Sequence, residues 1–132
     1  MKPHKALDFT RTNTAVGNAA LEDVGLLCAL HNIYTILVFE VTNTGQALAD
    51  FGLMVQPMHG ASFHLMLDGV NWANASISIK RWVSVDLKTL ASGSSGVGYV
   101  EIPPCKAIKF QAQAAAATTS VTILAAVYRG GA

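Results

Sequence analysis

What this chain has least of is charge. Only 13% of its 132 residues are Asp, Glu, Lys or Arg, and the formal net charge is +1. An ordinary globular domain is about 25% charged. Lysine and arginine never cluster; the densest basic spots are residues 1–5 and Lys80–Arg81. A nucleic-acid groove needs grouped cations to displace phosphate counterions, so no nucleic-acid partner is expected. Long apolar runs are missing too. None approaches the roughly 18 residues of a membrane-spanning helix, so no membrane partner is expected. The opening MKPHKALDFTRTNT lacks the apolar core of a secretory signal, which makes export by that route unexpected. Cysteine is scarce. Cys28 and Cys105 form no CxxC and each lies among apolar residues, which reads as two buried free thiols. A disulfide between strands is the alternative, because spacing alone cannot set the distance.

Motifs for chemistry are equally sparse. A nucleophile elbow needs G-x-S-x-G, and in GSSGVG (93–98) Val97 stands where the last glycine should be. GVG does not open a helix, so it is no dinucleotide fingerprint. Of the four histidines, His59 and His64 bracket a turn, and His64 shares even spacing with Asp68. A metal centre needs three or four convergent ligands, so His4, His31, His59 and His64 read as loop and surface residues. Glu22 and Asp23 are adjacent, while the other acids are scattered, and no glycosidase pair is marked. Asn74-Ala75-Ser76 is a formal glycosylation sequon, which is not expected to be used because no secretory signal is read. No catalytic residue, cofactor or metal is therefore expected, and the chain is not read as an enzyme. An enzymatic reading would need His59, His64 and Asp68 to converge around a cleft.

What is present is apolar and β-patterned. The hydrophobic fraction is 52%. With few charges to cover the surface, either neutral Ser, Thr, Asn and Gln do so or neighbouring subunits do, and the second reading is favoured. Residues 1–20 are the most polar part and read as an N-terminal arm, with Leu7–Phe9 as a short strand within it; 21–132 read as one domain. VGLLCAL (24–30), the link His31-Asn32 and IYTILVFEV (33–41) suggest a hairpin. In the second run Ile33, Leu37, Phe39 and Val41 share one face and Tyr34, Ile36 and Val38 the other, as in a strand covered on both sides. FGLMVQPM (51–58) alternates and ends at Pro57, and FHLML (63–67) follows a turn.

In SISIKRWVSVDL (76–87), Ile77, Ile79, Val83, Val85 and Leu87 point one way. Arg81 and Trp82 invert the pattern, which suggests a bulge, a register change or an outward Trp. ASGSSGVG (91–98) reads as a flexible loop and YVEIPP (99–104) as a short strand stopped by prolines. AIKFQAQA (107–114) sets Ile108, Phe110, Ala112 and Ala114 against Lys109, Gln111 and Gln113, and the last strand is SVTILAAVYR (120–129). Ala114–Ala117 look helical by propensity. Four residues cannot sustain a helix, and the flanks have period two, so they read as a strand end and a turn. About eight or nine short strands at this turn spacing predict an all-β protein, an antiparallel β-sandwich of jelly-roll or immunoglobulin-like type.

Aromatic residues carry what functional signal there is. Trp72, Trp82 and Tyr99 fall beside loops or on a polar face. Exposed Trp and Tyr anchor protein interfaces or stack on sugar rings; Trp72 could instead cap the core beneath its loop. With the apolar second face of 33–41 and two methionines, the candidate interface is Tyr34, Ile36, Val38, Met54, Met58, Trp72, Trp82 and Tyr99.

The stretches Leu90–Val100, Ile102–Pro104, Ile108–Phe110 and Ser120–Val127 resemble the closing strands of small β-sandwich proteins found in tailed-bacteriophage virions. In those, a Gly/Ser loop leads to a short strand, a proline-bounded turn, an I-x-F strand, small residues and a final strand. The likeness covers about the last third of the chain, and similar endings occur in carbohydrate-binding sandwiches. It implies a capsid-decoration, head–tail or tail accessory protein, made in the host cytoplasm and resident in the virion. Such a protein assembles with copies of itself and with other virion proteins and catalyses nothing. The alternative it leaves is a glycan-binding module using Trp72, Trp82 and Tyr99.

Overall fold

The computed structural model describes residues 4–28, 35–57, 59–60, 62–68, 81–102 and 105–129, with side chains described over most of these. Nine strands run through them: β1 (His4–Val16), β2 (Glu22–Cys28), β3 (Thr35–Asn43), β4 (Leu48–Gln56), β5 (His64–Asp68), β6 (Arg81–Val83), β7 (Ser95–Ile102), β8 (Ala107–Ala114) and β9 (Thr119–Arg129). They form two antiparallel sheets, β1-β9-β3-β7-β6 and β2-β8-β4-β5, packed as a sandwich. The pairs β1–β9, β2–β8, β3–β7 and β4–β5 nest inside one another. Wrapping that long double ribbon round the core adds β3–β9 and β4–β8. This is jelly-roll winding rather than the immunoglobulin order. β6 pairs along the free edge of β7.

Period-two patterning places the core between the sheets. In β8, Ile108, Phe110, Ala112 and Ala114 are buried while Lys109, Gln111 and Gln113 are half-buried on the opposite face. In β3, Leu37, Phe39 and Val41 are buried, and in β4, Phe51 and Leu53. Phe110 ties the layers together: its ring lies 5.5 Å from Phe39 in the facing sheet and 6.0 Å from Phe51 in its own, both tilted. Pro57 follows directly on β4, where its missing N–H costs no ladder bond.

Several expectations are corrected. The β2–β3 hairpin does not exist, because β2 belongs to the four-stranded sheet and β3 to the five-stranded one. The link between them, His31-Asn32 included, lies outside the described residues. The N-terminal segment read as an arm is β1, paired along β9 over its whole length. Its period is hidden by two register shifts, between Lys5 and Leu7 and between Arg11 and Thr14. The segment 91–98 is a loop only as far as Ser94. From Ser95 the chain is β7, alternating exposed and buried, with Gly96 and Gly98 in the inward places. A Cβ at Gly98 would stand 2.8 Å from Phe39 Cζ, from the Trp82 carbonyl oxygen and from Val83 Cγ1. One at Gly96 would stand 2.6 Å from Leu87 Cδ2 and 2.9 Å from Val85 Cγ2. Neighbours fill the space those side chains would take.

Of the long strand expected over 76–87, β6 covers Arg81–Val83, and 69–80 lie outside the described residues. Past Val83 the ladder changes hands. The Ser84 N–H donates to the Val97 carbonyl, and the Val97 N–H donates to the Ser84 hydroxyl, each at 2.9 Å. The chain then bends, so Leu87 remains in the core while Val85, expected inward, is 43% exposed. The alanines behave as read: Ala114 ends β8, Ala115–Ala117 are exposed bends, and Ala117 takes a left-handed φ of 54°.

Asn43 closes one end of the sandwich. It is fully buried. Its Nδ2 donates to the carbonyls of Gln46 (2.6 Å) and Leu90 (3.1 Å), and its Oδ1 accepts from the buried Thr119 hydroxyl. Its backbone N–H donates to Ser94 O (3.0 Å) and its carbonyl accepts from Gly93 N–H (2.7 Å). One buried amide thus fixes the ends of β3 and β9 and the loop before β7.

Gly98→Ala places a methyl against backbone as well as side chains. We expect it to cost about 1–3 kcal/mol, the usual range for overpacking, read as a lower urea midpoint at unchanged m-value.

Candidate functional site: the outer face of the five-stranded sheet

Once β3, β7 and β9 turn Leu37, Val100 and Ile123 inward, the alternate residues must point out. Cross-strand register arranges them in four rows centred on β3. Ile36 lies between Glu101 and Tyr128, and Val38 between Tyr99 and Ala126. Glu40 lies between Val97 and Leu124, and Thr42 between Ser95 and Thr122. β6 extends the second row by placing Trp82 opposite Tyr99. The two rings stack, with centroids 6.5 Å apart and planes 25° apart. Val38, Val97, Tyr99, Trp82 and Leu124 are all 38–49% exposed. Together these five residues expose on the order of 400 Å², within the range of the largest patch on a soluble monomer, with Glu40 between Val97 and Leu124. Among the described residues no segment crosses this face.

Polar residues flank this patch: Thr42, Ser95 and Thr122 form the fourth row, and Lys5, Asp8 and Thr10 of β1 stand opposite Tyr128, Ala126 and Leu124. Thr42 and Ser95 hydroxyls bond to each other at 2.8 Å. Glu40 and Glu101 are half-buried acids, and no described cation pairs with either. The opposite face of the sandwich differs. There Asp23 accepts from Gln111 Nε2 (2.9 Å) and meets Lys109 Nζ (3.3 Å). The same Lys109 ammonium sits 4.5 Å over the Phe63 ring. There Asp23 and Lys109 satisfy each other; the five-stranded face offers apolar area and two carboxylates that no described cation pairs.

The expected interface residues divide accordingly. Ile36, Val38, Trp82 and Tyr99 come together on this face. Met54 does not, being half-buried on the outer side of β4, where its register partners are Lys109 and Leu65. Tyr34, Met58 and Trp72 lie outside the described residues. Sequence reasoning missed Val97, Leu124 and Glu40. The signal was available: in β9, Val121, Ile123, Ala125 and Val127 are inward, so Leu124 marks a strand apolar on both faces, as in β3.

Chemistry is sparse elsewhere. His59 is exposed in the turn after Pro57, and the side chains of His64 and Asp68 are outside those described. Among the described residues no three His, Cys, Asp or Glu side chains converge as metal ligands. A shallow depression of about 420 Å³ beside the sheet is lined by Asp86, Thr89, Leu90, Ser94 and Ser95. Its one carboxylate, Asp86, already accepts from the Lys88 N–H at 3.0 Å.

Cys105 is a buried free thiol, and desolvation pushes its pKa up from 9.0 to about 11, against a smaller lowering by its hydrogen bond to the Ala107 backbone. A group whose folded value is raised contributes stability that is complete below the unfolded value and lost as pH climbs through the folded one. Denaturation midpoints should therefore hold up to about pH 9 and fall from there toward about pH 11. A Cys105→Ala variant should lose that alkaline slope, and folded protein at pH 8 should resist thiol alkylation at residue 105. No protein-family model and no curated protein matches this chain.

Proposed function

We propose that the chain is a non-enzymatic structural subunit of a virus particle, a capsid decoration or stabilising protein or a head–tail or tail accessory, acting through protein–protein assembly. The observation that carries this reading is the outer face of the five-stranded sheet. Its centre, over β9, β3, β7 and β6, is mainly apolar and carries the aromatics Trp82, Tyr99 and Tyr128, the composition of the centre of a buried interface, with Glu40 and Glu101 among them and Lys5 and Asp8 at the β1 edge. Jelly-roll sandwiches recur in viral capsid proteins, and the last third of the sequence resembles closing strands of phage virion sandwiches; both are analogies and add to the reading as such. The low charge of the whole chain fits a protein whose surface is covered by copies and partners.

A carbohydrate-binding module is the second reading, favoured by one observation: Trp82 and Tyr99 are exposed side by side. Lectin domains share this architecture. A glycan array without hits, or Trp82→Ala binding as well as the parent, removes it.

Purified chain should scatter light as an oligomer, or co-sediment with virions. Leu124→Asp should abolish both; because Leu124 is 45% exposed and stands opposite Glu40, the change should cost about 1–2 kcal/mol of stability and leave the chain folded by circular dichroism. A monomer at high concentration with no affinity for particles contradicts the proposal.

A further inference from the structure

We propose that the outer face of the five-stranded sheet takes the same face of a second copy about a two-fold axis running along β3, and that two Glu40 carboxyls meet there and share one proton. This rests on the assembly reading above and adds the partner, the geometry and the control.

Size comes first. Five strands about 4.8 Å apart and eight residues about 3.3 Å apart span on the order of 600 Å² in plane. That is close to the roughly 800 Å² of accessible surface each partner contributes to a standard interface. The face is therefore large enough for a whole interface.

Self-complementarity comes next. A two-fold contact requires that where one residue meets another, the second meets the first in return. β3 is the middle strand of the five, flanked by β7 and β9. A two-fold axis along it sets β7 of one copy over β9 of the other, row by row. Tyr99 then faces Ala126, a large ring over a small residue. Val97 faces Leu124, apolar on apolar. Glu101 faces Tyr128, an acceptor against a phenol donor, and Ser95 faces Thr122, hydroxyl on hydroxyl. Packed sheets cross at about 30°, which displaces the outer pairs most and leaves the centre of β3 beside the axis.

At that centre stand Val38 and Glu40, each opposite its own counterpart. Glu40 is surrounded by Val38, Thr42, Val97 and Leu124. By register the titratable groups on the same face are Tyr99 and Glu101 from β7, Tyr128 from β9, and Lys5 and Asp8 from β1, opposite Tyr128 and Ala126. The edge strands carry His4, Lys5, Asp8 and Arg11 on β1 and Arg81 on β6, two strands from β3. Two carboxylates brought together among apolar neighbours, with Lys5 two strands and two rows away by register, cannot both remain ionised. One takes up a proton from solvent and donates it in a hydrogen bond to the other. Assembly thus gains as pH falls.

The test is sedimentation equilibrium of the full chain from pH 8 to pH 5. With one proton taken up per pair, association should tighten up to about tenfold per pH unit. Glu40→Gln should associate more tightly than the parent at pH 8 and show little dependence on pH. In parallel, Val38→Cys should cross-link to itself with a short bismaleimide, whereas Ala116→Cys, in the turn after β8, should give only the background of the parent's own cysteines. Oligomers that neither cross-link at residue 38 nor respond to Glu40→Gln overturn this inference and leave the assembly reading standing. A chain that remains monomeric throughout overturns the inference, and co-sedimentation with virions then decides the assembly reading separately.

Discussion

Two missing side chains hold the five-stranded sheet in its form. Gly96 and Gly98 occupy inward places of β7, and the volume they leave is filled by Leu87, Val85, Phe39 and Val83. Because the Trp82 carbonyl comes so near Gly98, β6 can lie tight against β7. That fixes Trp82 beside Tyr99 on the outside. The same alternation that turns the glycines in turns Val97 and Tyr99 out. Core packing and outer surface are thus two readings of one period-two constraint: a side chain added inside β7 would disturb the aromatic pair outside it.

The two faces of the sandwich are built on different physics. On the four-stranded sheet, Asp23, Lys109, Gln111 and Phe63 satisfy one another within the chain. Such a surface gains little from a partner, since its charges would have to be desolvated again. On the five-stranded sheet the exposed groups are mostly apolar, and burying them returns free energy at about 25 cal/mol per Å² before the costs of association. The proposed virion role uses this asymmetry: one face stays soluble and the other assembles. Glu40 is the exception in an otherwise apolar centre, and the proposed proton sharing would make assembly conditional rather than automatic.

Much of this was legible in the sequence where period two is unbroken. β8 reads correctly residue by residue because polar Lys109, Gln111 and Gln113 mark its outer side and apolar residues its inner one. Leu37, Phe39 and Val41 were assigned to the core by the same logic. The failures have local causes. Two register shifts erase the alternation of β1. In β7 the inward residues are glycines, so a strand looks like a Gly/Ser loop. The β2–β3 connection has hairpin spacing, yet spacing says nothing about which sheet the next strand joins. For the site, aromatic content pointed to Trp82 and Tyr99, but Met54 was grouped with them by residue type alone and lies on the far side of the sandwich.

The central claim is that the outer face of the five-stranded sheet is buried between chains. Hydroxyl-radical footprinting read by mass spectrometry, at protein concentrations below and above the onset of association, tests it without altering the chain. The account predicts that Trp82, Tyr99, Val97 and Leu124 become protected together as concentration rises, while Met54 and Phe63 on the other sheet keep their reactivity. Equal reactivity of the first group at both concentrations, or protection confined to Met54 and Phe63, would contradict it.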